Sequence, residues 1–517
     1  MNRKFVQASV PAVLVFIASA IVFSDLQGID QSSQQPGESQ LRLRNADSLL
    51  SSRFGRFEFR ARDGNRLSAE VYRSTGFDEM DGPIWFVMHG MNRDSDRYIA
   101  TAAPVAERYG ALAISIAFSK DDYPRSEDYT LGVTWRGRAD GGALKQRRWR
   151  APEDYLYAEI EYVFEAVRHA INGQQRGFFI FGHSAGAQFT HRLMTFLPDS
   201  PVLGAVAANA GWYTLPVIEE DPDFTMPYGL WGSPVSEAET GPLVSAPLVI
   251  LVGERDTKTP DNSRSVRGTP QAMRQGSNRL ARGQFYYSVG RDRADALGAD
   301  FGWRLEIVPR AKHSAAQMLP SAGYFLFSPN QPACISTPAE EASGVIFSEI
   351  LVRPPDGSAG DANADGRRER RADQFVEIIN TSDEPVCLTG WALGDASKPE
   401  RHVFPLGRPL QPGGALVVFG GGVPTGRFSD AQVQWAAFGG KLGLNRKGDV
   451  LTLQDAAGQA VIQFSWGDCA GAVCAREHVS QSLDFSGSLV RVQQDWFPHS
   501  DLFGTPFSPG LISEGGT

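Results

Sequence analysis

Gly182-His183-Ser184-Ala185-Gly186 follows a short apolar run, Phe178 to Phe181, and opens a stretch with helical apolar spacing, Ala185 to Phe196. A G-x-S-x-G string by itself decides little. With 54 glycines in 517 residues, chance supplies one about 0.3 times in a chain of this length. Its setting decides more. A strand, a sharp turn and a helix lift a serine Oγ out of the end of a sheet, and small residues at 182 and 186 leave room for that turn.

Outward from this turn, strand and helix signals alternate. Phe57 to Arg60 and Leu67 to Tyr72 flank Asp63-Gly64-Asn65, a hairpin turn. Ile84 to Met88 is a continuous apolar run, as in a strand buried on both faces of a parallel sheet. Strands are also predicted at Ala111 to Phe118, Leu203 to Ala208, Leu248 to Val252 and Leu305 to Val308, with a helix across Pro152 to Ile171. The alternation predicts an α/β class domain, a mostly parallel doubly wound sheet, over residues 51–330. Residues 331–343 read as a linker. Beyond them the helical spacing stops. Ile346 to Val352, Phe375 to Ile379, Ala415 to Phe419 and Val450 to Leu453 are short β runs punctuated by Gly, Pro, Asn and Asp, and predict a β-sandwich over residues 344–512.

A serine hydroxyl is a poor nucleophile at neutral pH, so Ser184 needs a base and a group that orients the base. Asp256 stands just past the strand Leu248 to Val252, and His313 just past the strand at Leu305. Both lie at carboxyl ends of strands, where open α/β sheets carry their sites. Glu254 and Asp261 are the alternatives to Asp256. His183, inside the turn, His169, near a helix end, and His191, seven residues along the helix from Ser184, are poorer candidates for the base than His313. Two backbone N–H groups are needed for a developing oxyanion. Ala185 supplies one, and Met91, in the His89-Gly90-Met91-Asn92 turn after Ile84 to Met88, is assigned the other.

Met88-His89-Gly90, the Gly182–Gly186 string, Gly253-x-x-Asp256 and His313 together resemble the α/β-hydrolase family, most of all its secreted polyhydroxyalkanoate-depolymerase and feruloyl-esterase type. The resemblance covers residues 55 to 325 and implies acyl-ester hydrolysis through an acyl-enzyme with no catalytic cofactor. The substrate class is not carried by the motifs, since the same triad serves esterases, lipases, thioesterases and peptidases. Phe347-Ser348-Glu349-Ile350, Phe375 to Asn380, Leu388 to Leu393, Leu410 to Gly414 and Phe507 to Gly510 resemble a lamin-tail domain, an immunoglobulin-like β-sandwich. That resemblance implies a binding or anchoring module.

Three segments are candidates to shape the pocket. Trp212 and Tyr213 follow a strand end, where their rings either bind an acyl or aromatic group or belong to the core. Residues 214 to 243, acidic and proline-rich, are a lid or a surface loop. Residues 136 to 150, with Arg136, Arg138, Lys145, Arg147, Arg148 and Arg150, meet an anionic substrate or form a solvated face. In the C-terminal domain, Asp361, Asn363 and Asp365 with Gly366 reproduce the first half of an EF-hand-like loop, and Asp373 or Glu377 replaces the missing glutamate at position twelve, where Ala372 stands. A structural Ca²⁺ site and an Asx-rich turn paired with the neighbouring arginines are both open.

Arg3 and Lys4, the apolar run Val10 to Phe23 and Ala18-Ser19-Ala20 have the layout of a secretory signal peptide over residues 1–24, followed by a polar linker over residues 25–50. An apolar run of about 14 residues is short for a membrane span, so no span is expected after signal cleavage. The expected location is secreted, periplasmic or cell-surface. Cys334, Cys387, Cys469 and Cys474 allow three pairings, and the closeness of Cys469 and Cys474 favours that local pair over a zinc site. A formal charge of -9 and 42% hydrophobic residues exclude a disordered chain and give no basis for nucleic-acid binding. The expected partner is an ester substrate, small or polymeric, with a surface or polymer for the C-terminal module. The competing functions are a peptidase or thioesterase on the same triad, and a surface-binding protein with a degenerate hydrolase domain.

Overall fold

The computed structural model describes residues 43–46, 48–51, 53–136, 148–328, 331–438, 440–467, 477–479, 487–493 and 495–511. The signal peptide, most of the 25–50 linker, Arg138, Lys145, Arg147, Cys469 and Cys474 lie outside the described residues.

The N-terminal domain is built on eight strands: β1 Phe54–Arg60, β2 Arg66–Arg73, β3 Ile84–Met88, β4 Leu112–Ile116, β5 Phe178–His183, β6 Val202–Ala208, β7 Leu248–Gly253 and β8 Arg304–Val308. Their spatial order is β1-β2-β4-β3-β5-β6-β7-β8. β1, β2 and β4 pair antiparallel, and every later pairing is parallel. β3, β4 and β7 are buried along their whole length, as their unbroken apolar sequences require of strands covered on both faces.

The main covering helices are α1 Ser95–Tyr109, α2 Ala158–Ala170, α3 Ala185–Phe196, α4 Arg279–Leu297 and α5 Ala315–Phe327. α4 has no apolar stripe. Its inward face is Arg279, Arg282, Gly283, Tyr286, Gly290 and Ala294, so the helix buries guanidinium groups and glycine contacts where Leu or Val is usual. Residues 43–46 and 48–50, inside the segment read as a linker, are part of this domain. Arg44 bridges to Glu58, and Leu49 is fully buried.

The C-terminal domain is a two-sheet sandwich. Its strands are β9 Val345–Arg353, β10 Phe375–Asn380, β11 Ala392–Asp395, β12 Lys398–Val403, β13 Ala415–Phe419, β14 Gln432–Trp435, β15 Gly448–Gln454, β16 Ala460–Gly467, β17 Glu477–Val479, β18 Gly487–Val492 and β19 Asp495–Pro498. One sheet has the order β14-β13-β10-β9-β18-β19 and the other β12-β11-β15-β16-β17. Trp391, Trp466, Phe347 and Phe464 fill the space between them.

The 331–343 segment is tied down as well. Cys334 forms a disulfide with Cys387, and the Thr337 carbonyl accepts the Trp391 indole N–H. These contacts fasten the bridge to the sandwich. Leu406, Val423, Trp435 and Phe438 pack against the apolar cluster under α1 and α5. Arg310 donates to the carbonyls of Asp455 and Ala456, at 3.0 Å each.

Glu349 and Glu377 stand directly opposite each other on β9 and β10, both buried. Glu349 accepts from the Ser488 hydroxyl at 2.5 Å and the Ser508 amide at 3.1 Å. Glu377 accepts from the Ser348 hydroxyl at 2.7 Å and the Gly510 amide at 2.6 Å. Burial pushes both carboxyl groups up to about 7, and for Glu377 the facing Glu349 adds to the effect. A folded-state pKa above the unfolded value gives stability that is fully present below the ordinary carboxyl range near 4.5 and is lost as pH rises through about 7. Urea denaturation should therefore show the sandwich more stable at pH 5 than at pH 8. Glu349→Gln/Glu377→Gln should flatten that slope, and an unchanged slope in the double variant would contradict the assignment.

Candidate active site

Ser184 sits between β5 and α3 with φ 59° and ψ −110°, a left-handed conformation that a non-glycine residue holds only when its surroundings force it. Two glycines allow the turn. A Cβ at Gly182 would lie 2.1 Å from the Gly186 carbonyl oxygen, and one at Gly186 would lie 2.2 Å from that of Met88. The Ser184 amide is fixed by the Ala208 carbonyl at the end of β6.

The loops after β7 and β8 are laced together. The Glu254 amide donates to Val308, the Arg255 amide donates to Ala311, and the Arg310 amide donates to the Glu254 carboxylate at 2.6 Å. This lacing occupies Glu254 and leaves Asp256 to face His313. His313 Nδ1 lies 2.7 Å from Asp256 Oδ2, and His313 Nε2 lies 3.0 Å from Ser184 Oγ. With Nδ1–H donating to the carboxylate, Nε2 is left to accept the serine proton. The three residues assigned from sequence are thus brought into one hydrogen-bonded line.

The N-terminal domain is similar to known hydrolases. A poly(aspartic acid) hydrolase from Sphingomonas sp. KT-1 is 35% identical over 53% of this chain and 98% of its own, with a TM-score of 0.48. A poly(3-hydroxybutyrate) depolymerase from Bordetella parapertussis is 31% identical over 56% of this chain and 94% of its own, with a TM-score of 0.49. The chain belongs to the α/β-hydrolase family through its N-terminal domain. Residues 338–468 match the Lamin Tail Domain family. No curated protein sequence matches the chain.

The hydrolase domain surrounds the triad with charges that sequence spacing did not mark. Asp256 is buried, and so is Arg279 of α4, whose Nη1 donates to Asp256 Oδ1 at 3.2 Å while Nη2 donates to the Ser265 carbonyl at 2.7 Å. Asn209, at the end of β6, accepts from the Gly253 amide at 2.8 Å and ties β7 to the strand beside it. His183 lies with its ring 4.6 Å from that of His313 and its Nδ1 3.0 Å from the Tyr98 hydroxyl. Burial, with His313 and Arg279 adding to it, holds His183 well below the usual imidazole range, so it places no positive charge against an imidazolium at 313.

The His89–Asn92 turn is anchored at His89. His89 stacks on Tyr129 at 4.7 Å, and the Tyr129 hydroxyl donates to the His89 carbonyl. Burial pushes His89 down to about 3. The Met91 side chain is exposed, while Ala185 opens α3, where an amide has no helical acceptor. His191 is structural: its Nδ1 meets the Ala187 carbonyl and its Nε2 accepts the Thr214 amide.

Trp212 and Tyr213 are core residues, and the pocket role considered for them is corrected. Tyr213 is fully buried and stacks on Tyr286 at 4.3 Å, and its backbone is held on both sides by Gln275. Trp212 is sandwiched by the guanidinium of buried Arg192 at 4.1 Å, Arg267 at 5.2 Å and the Tyr228 ring at 4.5 Å. The 214–243 segment is not a free lid either, because Leu215, Met226, Tyr228 and Leu230 enter the core.

The 361–373 loop holds itself together through backbone amides. Asp361 accepts from the amides of Asp365 and Gly366, Asn363 from Asp365, Asp365 from Arg367 and Val423, and Asp373 from Asn363 and Glu369. Among the described residues, no group of three or more His, Cys, Asp or Glu side chains is placed to hold a metal ion. Asp361, Asn363, Asp365 and Asp373 thus form an Asx-turn network. The neighbouring Arg368 pairs outside the loop, with Asp356.

Removing the Arg279 guanidinium would leave the Asp256 carboxylate buried with one partner fewer. Arg279→Met is expected to cost about 3–5 kcal/mol in urea denaturation. A change below about 0.5 kcal/mol, the range of ordinary surface substitutions, would show the pair to be unimportant for the site.

Proposed function

We propose that the protein is an exported serine hydrolase that cleaves carboxylic esters through an acyl-enzyme. The observation that carries the reading is the Ser184–His313–Asp256 line, built on a turn that holds Ser184 at positive φ. In this reading His313 Nε2 takes the Ser184 proton as Oγ attacks the ester carbonyl. The N–H groups of Ala185 and Met91 stabilise the oxyanion. His313 then protonates the departing alcohol, and a water activated by His313 releases the acid. Asp256 orients the imidazole and offsets its charge in each half-reaction.

Similarity to a poly(aspartic acid) hydrolase and a poly(3-hydroxybutyrate) depolymerase supports a polymeric substrate. The 35% identity to the first favours amide cleavage as a second reading on the same triad. The apolar N-terminal segment and the disulfide Cys334–Cys387 support export. Among the described residues no helix is long and apolar enough to cross a membrane. The lamin tail domain is read as a binding module that contacts the hydrolase domain.

Steady-state hydrolysis of p-nitrophenyl butyrate and of poly(aspartate) tests the reading. Ser184→Ala and His313→Ala should each lower kcat about ten-thousand-fold or more on whichever substrate is cleaved, with the circular-dichroism spectrum unchanged. Hydrolysis at the wild-type rate by either variant would refute it. Cleavage of poly(aspartate) without cleavage of the ester would select the amide reading.

A further inference from the structure

The lamin tail domain touches the two loops that carry Asp256 and His313. β8 is the last strand of its sheet and pairs only with β7, so no further strand braces the loop after it. That loop turns at Pro309-Arg310. Arg310 stands there at φ 56°, a left-handed conformation that a residue with a side chain keeps only when its surroundings hold it. The holding groups come from both domains. The Arg310 amide donates to the Glu254 carboxylate at 2.6 Å, and its guanidinium donates to the Asp455 and Ala456 carbonyls of the sandwich at 3.0 Å each. Gly390 brings the sandwich backbone against the same turn, close enough that a Cβ there would lie 3.1 Å from that of Pro309.

One side chain of the sandwich reaches both loops. Glu400, on the edge strand β12, accepts two hydrogen bonds from Arg255, at 2.8 and 2.9 Å, and lies 3.4 Å from an Arg310 nitrogen. The two-pronged fit of a guanidinium on a carboxylate fixes direction as well as distance. Arg255 immediately precedes Asp256, and Arg310 lies three residues before His313. The hairpin that presents Glu400 is itself fixed, because Asp395 accepts from the amides of Ser397 and Lys398 and from Arg401 Nε. The side chains of Arg255 and Glu400 are 42% and 29% exposed, and a pair so open to solvent contributes little to stability. Its effect is local. His313 must keep its contacts of 2.7 Å to Asp256 and 3.0 Å to Ser184, and a displacement of about 1 Å in such a geometry can cost about a hundredfold in rate.

We propose that Glu400 is a positioning residue for the triad: through Arg255 and Arg310 it sets the loops that hold Asp256 and His313 against Ser184. The lamin tail domain then takes part in turnover by the hydrolase domain, in addition to any ligand it binds. The proposal rests on the serine-hydrolase reading of Ser184.

The test uses the full-length protein with Glu400→Gln, Glu400→Lys and the exchange Arg255→Glu/Glu400→Lys. kcat, KM and Tm are read, with whichever of p-nitrophenyl butyrate and poly(aspartate) the wild type cleaves. Glu400→Gln is expected to lower kcat about threefold and Glu400→Lys about tenfold, with KM within about twofold of wild type. Tm should stay within about 2 °C, as for an exposed pair. The exchange restores opposite charges and is expected to recover at least about half of the lost kcat. Unchanged kcat in both single variants overturns the proposal. A loss that the exchange does not recover, that falls on KM instead, or that comes with a larger drop in Tm also overturns it, because Glu400 then serves folding or docking alone. Wild-type protein that cleaves neither substrate is the separate failure of the hydrolase reading, and leaves no triad for Glu400 to position.

Discussion

The close approach of Gly186 to the end of β3 is the contact on which the site depends. With a Cβ at 186 only 2.2 Å from the Met88 carbonyl oxygen and 2.9 Å from that of His89, nothing larger than glycine fits. The contact draws the start of α3 against the turn that carries Met91. It holds Ser184 at positive φ and sets the serine at the carboxyl edge of the sheet beside the loops after β7 and β8. The strain at Ser184 is of the order of 1–3 kcal/mol, which a core of this size offsets readily.

Charge burial is the second constraint. Asp256 and Arg279 are both nearly inaccessible, and such a pair contributes less to net stability than to uniqueness of arrangement, since removal of either partner is expensive. Arg192 repeats the device deeper in the domain, where it donates to Thr214, Thr130 and Gln188 and packs on Trp212. Burial lowers its pKa to about 10, so it remains a cation at neutral pH. A His183 held well below the usual imidazole range completes the picture, because a second imidazolium against His313 would oppose the charge that His313 acquires when it takes a proton.

Much of this was legible in the sequence, for reasons that differ by element. β3, β4 and β7 show because a strand covered on both faces must be apolar throughout, and the Gly182–Gly186 turn shows because its glycines are sterically required. Asp256 shows because it follows one of them, and His313 because it follows the shorter apolar signal of the edge strand β8. α4 was hidden. Its inward face of Arg, Gly, Tyr and Ala leaves no apolar period, and Arg279, the partner of Asp256, went unnoticed with it. α1 was hidden by Pro104 in its interior. Trp212 and Tyr213 were ambiguous because an aromatic pair after a strand serves a pocket or a core equally well, and only the rings and guanidinium groups around them decide. The Asp361–Gly366 loop carries oxygen atoms of the kind Ca²⁺ takes, and in the structure backbone amides donate to them. The docking of the sandwich depends on contacts more than a hundred residues apart, such as Arg255 with Glu400, for which no local pattern exists.

The central claim is that the fold activates one serine, Ser184, through His313. Reaction of the protein with a fluorophosphonate, followed by peptide mass spectrometry, tests it most directly. The account predicts a single stoichiometric adduct on Ser184 that is absent when His313 is replaced by Ala. No adduct on the folded wild-type protein, or an adduct on another serine, would contradict it.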